Sequence, residues 1–195
     1  MAGPDAAENG RLTLDQLSNL VAAGEIDTVL TVFPDLYGRL VGKRITGRFF
    51  LEQTAPHGMN ACDYLLACDV EMDPVPGYAF TSCDTGYGDF LCRPDLSTLR
   101  RAAWLDRSAI VICDVLDEHT QEPVSVAPRS ILARQVDRAR RAGLVPLGAS
   151  ELEFFVFRDS YEQATAKEFT KLETFGSYVE DYHILQGTRI EPLVC

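Results

Sequence analysis

Leu14, Leu17, Leu20 and Val21 recur at the spacing of one helix face, and Thr13-Leu14-Asp15-Gln16 has the spacing of a capping box at its start. Gly24 is placed to end this short helix. The next apolar run, 26–33, reads as a strand, and a turn through Pro34, Asp35 and Gly38 leads to a return strand over 39–45. Residues 48–53 have room for one or two helical turns. A further apolar run covers 63–70. After a Pro/Gly-rich connection at 73–77 comes another strand-like run over 86–93. Residues 109–115 are almost all apolar, the pattern of a buried strand, and Trp104 is expected to pack in the core beside it. Strands with one or two short helices predict a compact α+β domain over roughly the first 120 residues.

The polar stretch 117–125 reads as a boundary, and beyond it the period changes. Pro128 sits where a first helical turn tolerates proline, and Ile131, Leu132, Val136 and Ala139 follow at helical spacing until Gly143. A strand within 145–157 and a helix over 161–172 complete the pattern. The predicted strand contains Ser150-Glu151-Leu152-Glu153-Phe154-Phe155-Val156-Phe157. Side chains alternate across a strand, so Glu151 and Glu153 would share one face, continued by Phe155 and Phe157. Two neighbouring anions in an apolar setting repel unless something neutralises them, and carboxylate oxygens suit hard divalent ions such as magnesium or manganese. A half-exposed strand with both carboxylates in water satisfies the same pattern.

Composition narrows the class. At 195 residues the chain has room for one domain or two small ones; 46% hydrophobic and 24% charged residues describe a soluble, globular protein. Eighteen basic against 29 acidic residues give a net charge of -11, which argues against a nucleic-acid partner. No run reaches a membrane span, and the first residues lack a basic-then-apolar leader, so no membrane partner is expected. Cys62, Cys68, Cys83, Cys92, Cys113 and Cys195 show no paired C-x-x-C spacing; they read as reduced thiols of a cytoplasmic protein, and a zinc site is not expected. Residues 1–11 read as a mobile tail. His57 and His183 have no ligand-like partner nearby, Lys43, Arg44 and Arg100 read as solvated or paired surface charges, and the Pro94-Asp95 turn as a backbone-fixing device. Gly86-Tyr87-Gly88 lacks the strand-to-helix context of a phosphate loop.

Several separated segments together resemble one family. They are the hairpin with Asp35, Gly38, Gly42 and Lys43; Gly88-Asp89-Phe90 followed by the stretch from Arg93 through Pro94, Asp95, Ser97 and Thr98 to Arg100; Ala127-Pro128-Arg129; Glu151-Leu152-Glu153-Phe154; and Tyr182-His183-Ile184 through Glu191-Pro192. In this order, over about 26–194, the chain resembles the N-terminal portion of the glutamine synthetase family. The resemblance implies an α+β fold: a tail and short helix over 1–24, a β-grasp N-terminal domain over 25–120, and the incomplete start of a glutamine synthetase-type catalytic α/β domain over 121–195. It implies ATP-dependent ligation of ammonia, or a small amine such as a polyamine, to the γ-carboxylate of glutamate through γ-glutamyl phosphate. Glu153 would hold a Mg2+ or Mn2+ ion beside glutamate, and Glu151 the one beside the phosphates of ATP. Asp69 and Asp89 are the candidates for the aspartate that binds and deprotonates ammonium; a turn-capping carboxylate is an equal reading for Asp69 and the favoured one for Asp89. The D-G-S-S loop of bacterial glutamine synthetases is replaced here by Asp69-Val70-Glu71-Met72, which leaves the amine open. The complete protein would be a homo-oligomer. The isolated chain is expected to be inactive, and the competing reading is a non-catalytic β-grasp module retained for assembly.

Overall fold

The computed structural model describes residues 10–83, 86–177 and 182–194; residues 1–9 of the expected tail, and Cys195, lie outside them. Two compact units are present, 1–146 and 147–195.

The first unit begins as its sequence dictates. Thr13 and Gln16 exchange reciprocal backbone-to-side-chain bonds of 2.8 and 3.1 Å, capping the helix Leu14–Ala22, and Gly24 ends it at φ 72°. This helix buries Leu17 against Val29, Phe50 and Val111. Strand β1 (Thr28–Pro34) pairs antiparallel with β2 (Leu40–Thr46), the foreseen hairpin. Contiguous helical pieces Gly47–Phe49, Phe50–Thr54 and Ala55–His57 follow. Then comes β3 (Met59–Cys62), a strand that no periodicity announced, which exists because it pairs antiparallel with β4 (Asp89–Pro94).

The ten-residue strand β6 (Ser108–Asp117) unites these pieces. Its first half, 108–112, pairs parallel with β1, and its second half, 113–117, pairs antiparallel with β4. The two-residue β5 (Arg100–Arg101) also pairs with β6, giving a six-stranded sheet in the order β2-β1-β6-β4-β3. Lys43 on β2 donates to the Asn60 carbonyl on β3 at 2.6 Å, so the sheet curls until its two edges meet. Phe33 and Phe90 stack edge to face in the core, with ring centroids 5.1 Å apart.

Trp104 departs from expectation. It is 66% exposed, at the tip of the turn between β5 and β6, and Leu99 and Ala102 take the buried positions there. Turn-tip side chains point outward, whatever their hydrophobicity.

The helix Pro128–Arg141 forms with proline in its first turn, and Gly143 follows at φ 75°. Its apolar stripe stays accessible: Ile131 is 42% and Leu132 65% exposed. The strand expected within 145–157 is absent. Among the described residues no hydrogen bond involves the backbone of 147–155, and Phe157 alone reaches an isolated bridge, to Thr174. A strand is a paired state, and this unit offers the segment no neighbouring ladder. The helix expected over 161–172 stops at Ala166 (Tyr161–Ala166), because Glu168, Phe169 and Lys171 adopt left-handed backbone. Beyond residue 146, Ala164 is the one buried apolar residue among those described. Among the described residues no helix is long and apolar enough to cross a membrane.

Gly42 tests the hairpin. At φ 154°, a Cβ there would stand 2.1 Å from the Thr31 carbonyl oxygen. Gly42→Ala should destabilise the protein by about 3 kcal/mol, read as a lower urea midpoint; an unchanged midpoint would refute this close packing.

Candidate functional site

The chemistry-bearing residues of the first unit gather on the loops that the sheet positions. In the β1–β2 turn, Asp35 is 3% exposed. Its Oδ1 accepts the backbone N–H groups of Tyr37 and Arg39, each at 2.9 Å, and its Oδ2 accepts Arg39 Nε at 2.6 Å. The other two guanidinium nitrogens of Arg39 reach across to a loop thirty residues later. Nη1 donates to the Val70 carbonyl at 2.6 Å and Nη2 to the Asp69 carbonyl at 2.9 Å. Tyr37 lies under the guanidinium, 5.1 Å from its ring centroid.

Asp69 is half-buried and organises its own loop. Its Oδ1 accepts the N–H groups of Glu71 and Asp73 at 2.8 and 3.1 Å, and its backbone N–H donates to the Asp73 carbonyl at 2.9 Å. Among the described residues no bond reaches Oδ2. Val70 and Met72 project from this loop, 66% and 38% exposed, with Met72 at φ 73°. One carboxylate oxygen thus shapes the loop.

Asp89 opens β4, exposed and opposite Cys62 in the ladder. Its neighbour Gly88 is fixed by Asp63, a residue the sequence did not mark: Asp63 Oδ2 accepts the Gly88 N–H at 3.1 Å, and Oδ1 accepts the Thr81 hydroxyl at 2.6 Å. Cys62, Cys68, Cys83, Cys92 and Cys113 are all free thiols. Burial pushes the Cys92 thiol up to about 12 and raises that of Cys113 as well, so neither is a nucleophile at neutral pH.

Arg129 was also not foreseen as a tie. Its Nη2 donates to Asp95 Oδ2 and its Nε to Asp114 Oδ1, both at 2.8 Å, joining the long helix to the turn after β4 and to β6. Asp95 additionally accepts the N–H and hydroxyl of Ser97. Desolvation would raise the Asp95 pKa, but the Ser97 and Arg129 bonds outweigh it and hold the carboxyl below its ordinary range. Nothing local to either sequence segment signals that they meet.

In the second unit Glu151 and Glu153 are exposed, and among the described residues neither has a hydrogen bond or ion pair. As carboxylate oxygens they fit a hard divalent ion in kind. In number they supply two of the roughly six positions that magnesium requires, and among the described residues no group of three or more potential ligands converges.

Residues 125–189 match the family model for the glutamine synthetase catalytic domain. The chain is 46% identical over 191 residues to a gamma-glutamylethanolamide synthetase from Streptomyces coelicolor, covering 98% of this chain and 41% of that protein. It is 29% identical over 167 residues to a glutamate–isopropylamine ligase from Pseudomonas sp, covering 85% of this chain and 36% of that protein. A solved structure described as a GmaS/ADP complex aligns with a TM-score of 0.47 at 25% identity, covering 65% of this chain and 26% of that one. The chain therefore spans about two fifths of the length of the curated relatives it matches.

Removing the Arg129 side chain leaves Asp95 and Asp114 without their shared cation. Arg129→Met should cost about 1 kcal/mol at pH 7, given the partial exposure of the pairs. A carboxyl with a depressed folded pKa stabilises above its unfolded value, near 4, and loses that contribution as pH falls through the folded value. The stability gap between wild type and variant should therefore close in acid, as followed by urea unfolding from pH 7 to 2.5; a gap independent of pH would exclude the ion pair as its source.

Proposed function

Since the chain is related by sequence to the glutamine synthetase family, we propose that it forms the first part of an ATP-dependent ligase that joins the γ-carboxylate of glutamate to a small primary amine. The observation that carries this reading is the 46% identity to a gamma-glutamylethanolamide synthetase, spread over 98% of the chain. The two ligases reported above are named for ethanolamine and isopropylamine, both short primary amines larger than ammonia. The loop after Asp69 is consistent with that choice, because Val70 and Met72 offer apolar surface beside the carboxylate. In this reading the sheet of the first unit is a β-grasp domain covering 25–120. The catalytic domain begins within 121–195, and the complete enzyme is a cytoplasmic homo-oligomer.

Each residue has a physical task. A protonated amine has no lone pair with which to attack an acyl phosphate, so a carboxylate must hold the ammonium group and take its proton. Asp69 is suited to this, with Oδ1 committed to the loop and Oδ2 unoccupied by any described residue; Asp89, exposed at the head of β4, is the alternative. Glu151 and Glu153 would hold magnesium or manganese. Such an ion, when bound, offsets the negative charge of glutamate and ATP oxygens during phosphoryl transfer. The concentration of buried apolar residues in 1–146 favours a second reading, a sheet module that assembles with intact subunits and does not turn over by itself. Failure to co-purify with a full-length relative would exclude it.

Glu151→Ala and Glu153→Ala should each reduce turnover of the intact enzyme by at least about a hundredfold while leaving assembly unchanged in size-exclusion chromatography. Unchanged turnover would remove that residue from the site. Phosphate release measured with ammonia, ethanolamine, isopropylamine and a polyamine should favour a short primary amine over ammonia; preference for ammonia would make the enzyme a glutamine-forming one.

A further inference from the structure

Asp35 and Arg39 lie in a hairpin turn with no chemistry of its own, yet together their side chains accept or donate five hydrogen bonds, two of them to a distant loop. The buried Asp35 carboxylate holds Arg39 through Nε and through the Arg39 backbone N–H, while the Tyr37 ring covers the guanidinium. Fixed in this way, Arg39 presents its remaining two nitrogens as a fork to two consecutive carbonyls, those of Asp69 and Val70. Bonds to these two carbonyls fix the orientation of the 69–70 and 70–71 peptides. The orientation of these peptides directs the Asp69 side chain, whose Oδ1 is already tied to the N–H groups of Glu71 and Asp73.

We infer that Arg39, locked by Asp35, is a positioning residue that aims the Asp69 carboxylate at the amine. The inference rests on the reading of Asp69 as the amine-binding group. Arg39 touches no reactant; it acts through the loop backbone. Its geometry is specific to arginine, since a lysine ammonium is a point donor that cannot hold Asp35 and fork to two carbonyls together. A misplacement of about 1 Å in a group that must meet a reactant costs on the order of a hundredfold, so a loosened loop should be costly even with the Asp69 side chain intact. On the reading of Asp69 as the amine-binding group, the cost falls on the amine and not on glutamate or ATP.

The test uses the intact enzyme with Arg39→Met, the milder Arg39→Lys, and Asp69→Asn for comparison. Arg39→Met should raise the KM for amine at least about tenfold, change the KM values for ATP and glutamate less than about twofold, and not be matched by wild-type behaviour in Arg39→Lys. Hydrogen exchange gives a readout independent of catalysis. The amides of Glu71, Asp73 and Val75 should exchange faster in both Arg39 variants, while those of β1 and β6 keep their protection. An unchanged amine KM, or full rescue by lysine, would overturn the proposal, as would loss of protection throughout the sheet. If Asp69→Asn leaves the amine KM unaltered while the Arg39 variants free the loop, the assignment of Asp69 has failed and the positioning role fails with it. If Asp69→Asn raises the amine KM and the Arg39 variants do not, Asp69 stands and the clamp is wrong.

Discussion

The backbone hydrogen bonds of β6 are the interaction on which the rest of the first unit hangs. Without them β1–β2 and β3–β4 would be separate strand pairs, each too small to bury its own apolar face. Ser108–Asp117 accepts β1 along its first half and β4 along its second, and seven of its ten residues are buried. That double commitment explains why its sequence is almost continuously apolar and does not alternate. It also sets the functional loops, since β1 carries the Asp35–Arg39 turn, β4 begins at Asp89, and Asp114 on β6 receives Arg129 from the long helix.

What could be read from the sequence follows from the range of the forces involved. The Thr13–Gln16 capping box, the hairpin turn, Pro128 and the stops at Gly24 and Gly143 are settled by residues within a few positions of one another, and each forms where expected. Met59–Cys62 has no strong strand pattern and becomes a strand because β4 lies beside it. The 145–157 segment has the pattern and lacks the partner, so it remains unpaired. In both cases the neighbour decides.

The same distinction separates the visible from the hidden parts of the candidate site. Asp69, Asp89, Glu151 and Glu153 stand out as residue types in suggestive surroundings. The contacts that shape the site join residues far apart in the chain: Arg39 to Asp69, Asp63 to Gly88, Arg129 to Asp95. Asp35 reads locally as a turn residue and Arg39 as the start of the return strand, and no periodicity reveals that the second ties the first to another loop.

The pairing of β1 with β6 also bears on how the chain comes into being. Thr28 meets Ser108, eighty positions later, and no shorter connection can supply that edge. At a synthesis rate of about 5–20 residues per second, the β1–β2 hairpin, complete at Thr46, waits roughly 3–13 s before the β6 residues that pair with β1 exist. Throughout that interval Val29, Val32 and Phe33, all buried in the finished sheet, have nothing to pack against from β6. The strand that organises the native domain is among its last sheet elements to be made, so nascent chains pass through a window in which chaperone capture and mispairing compete with folding.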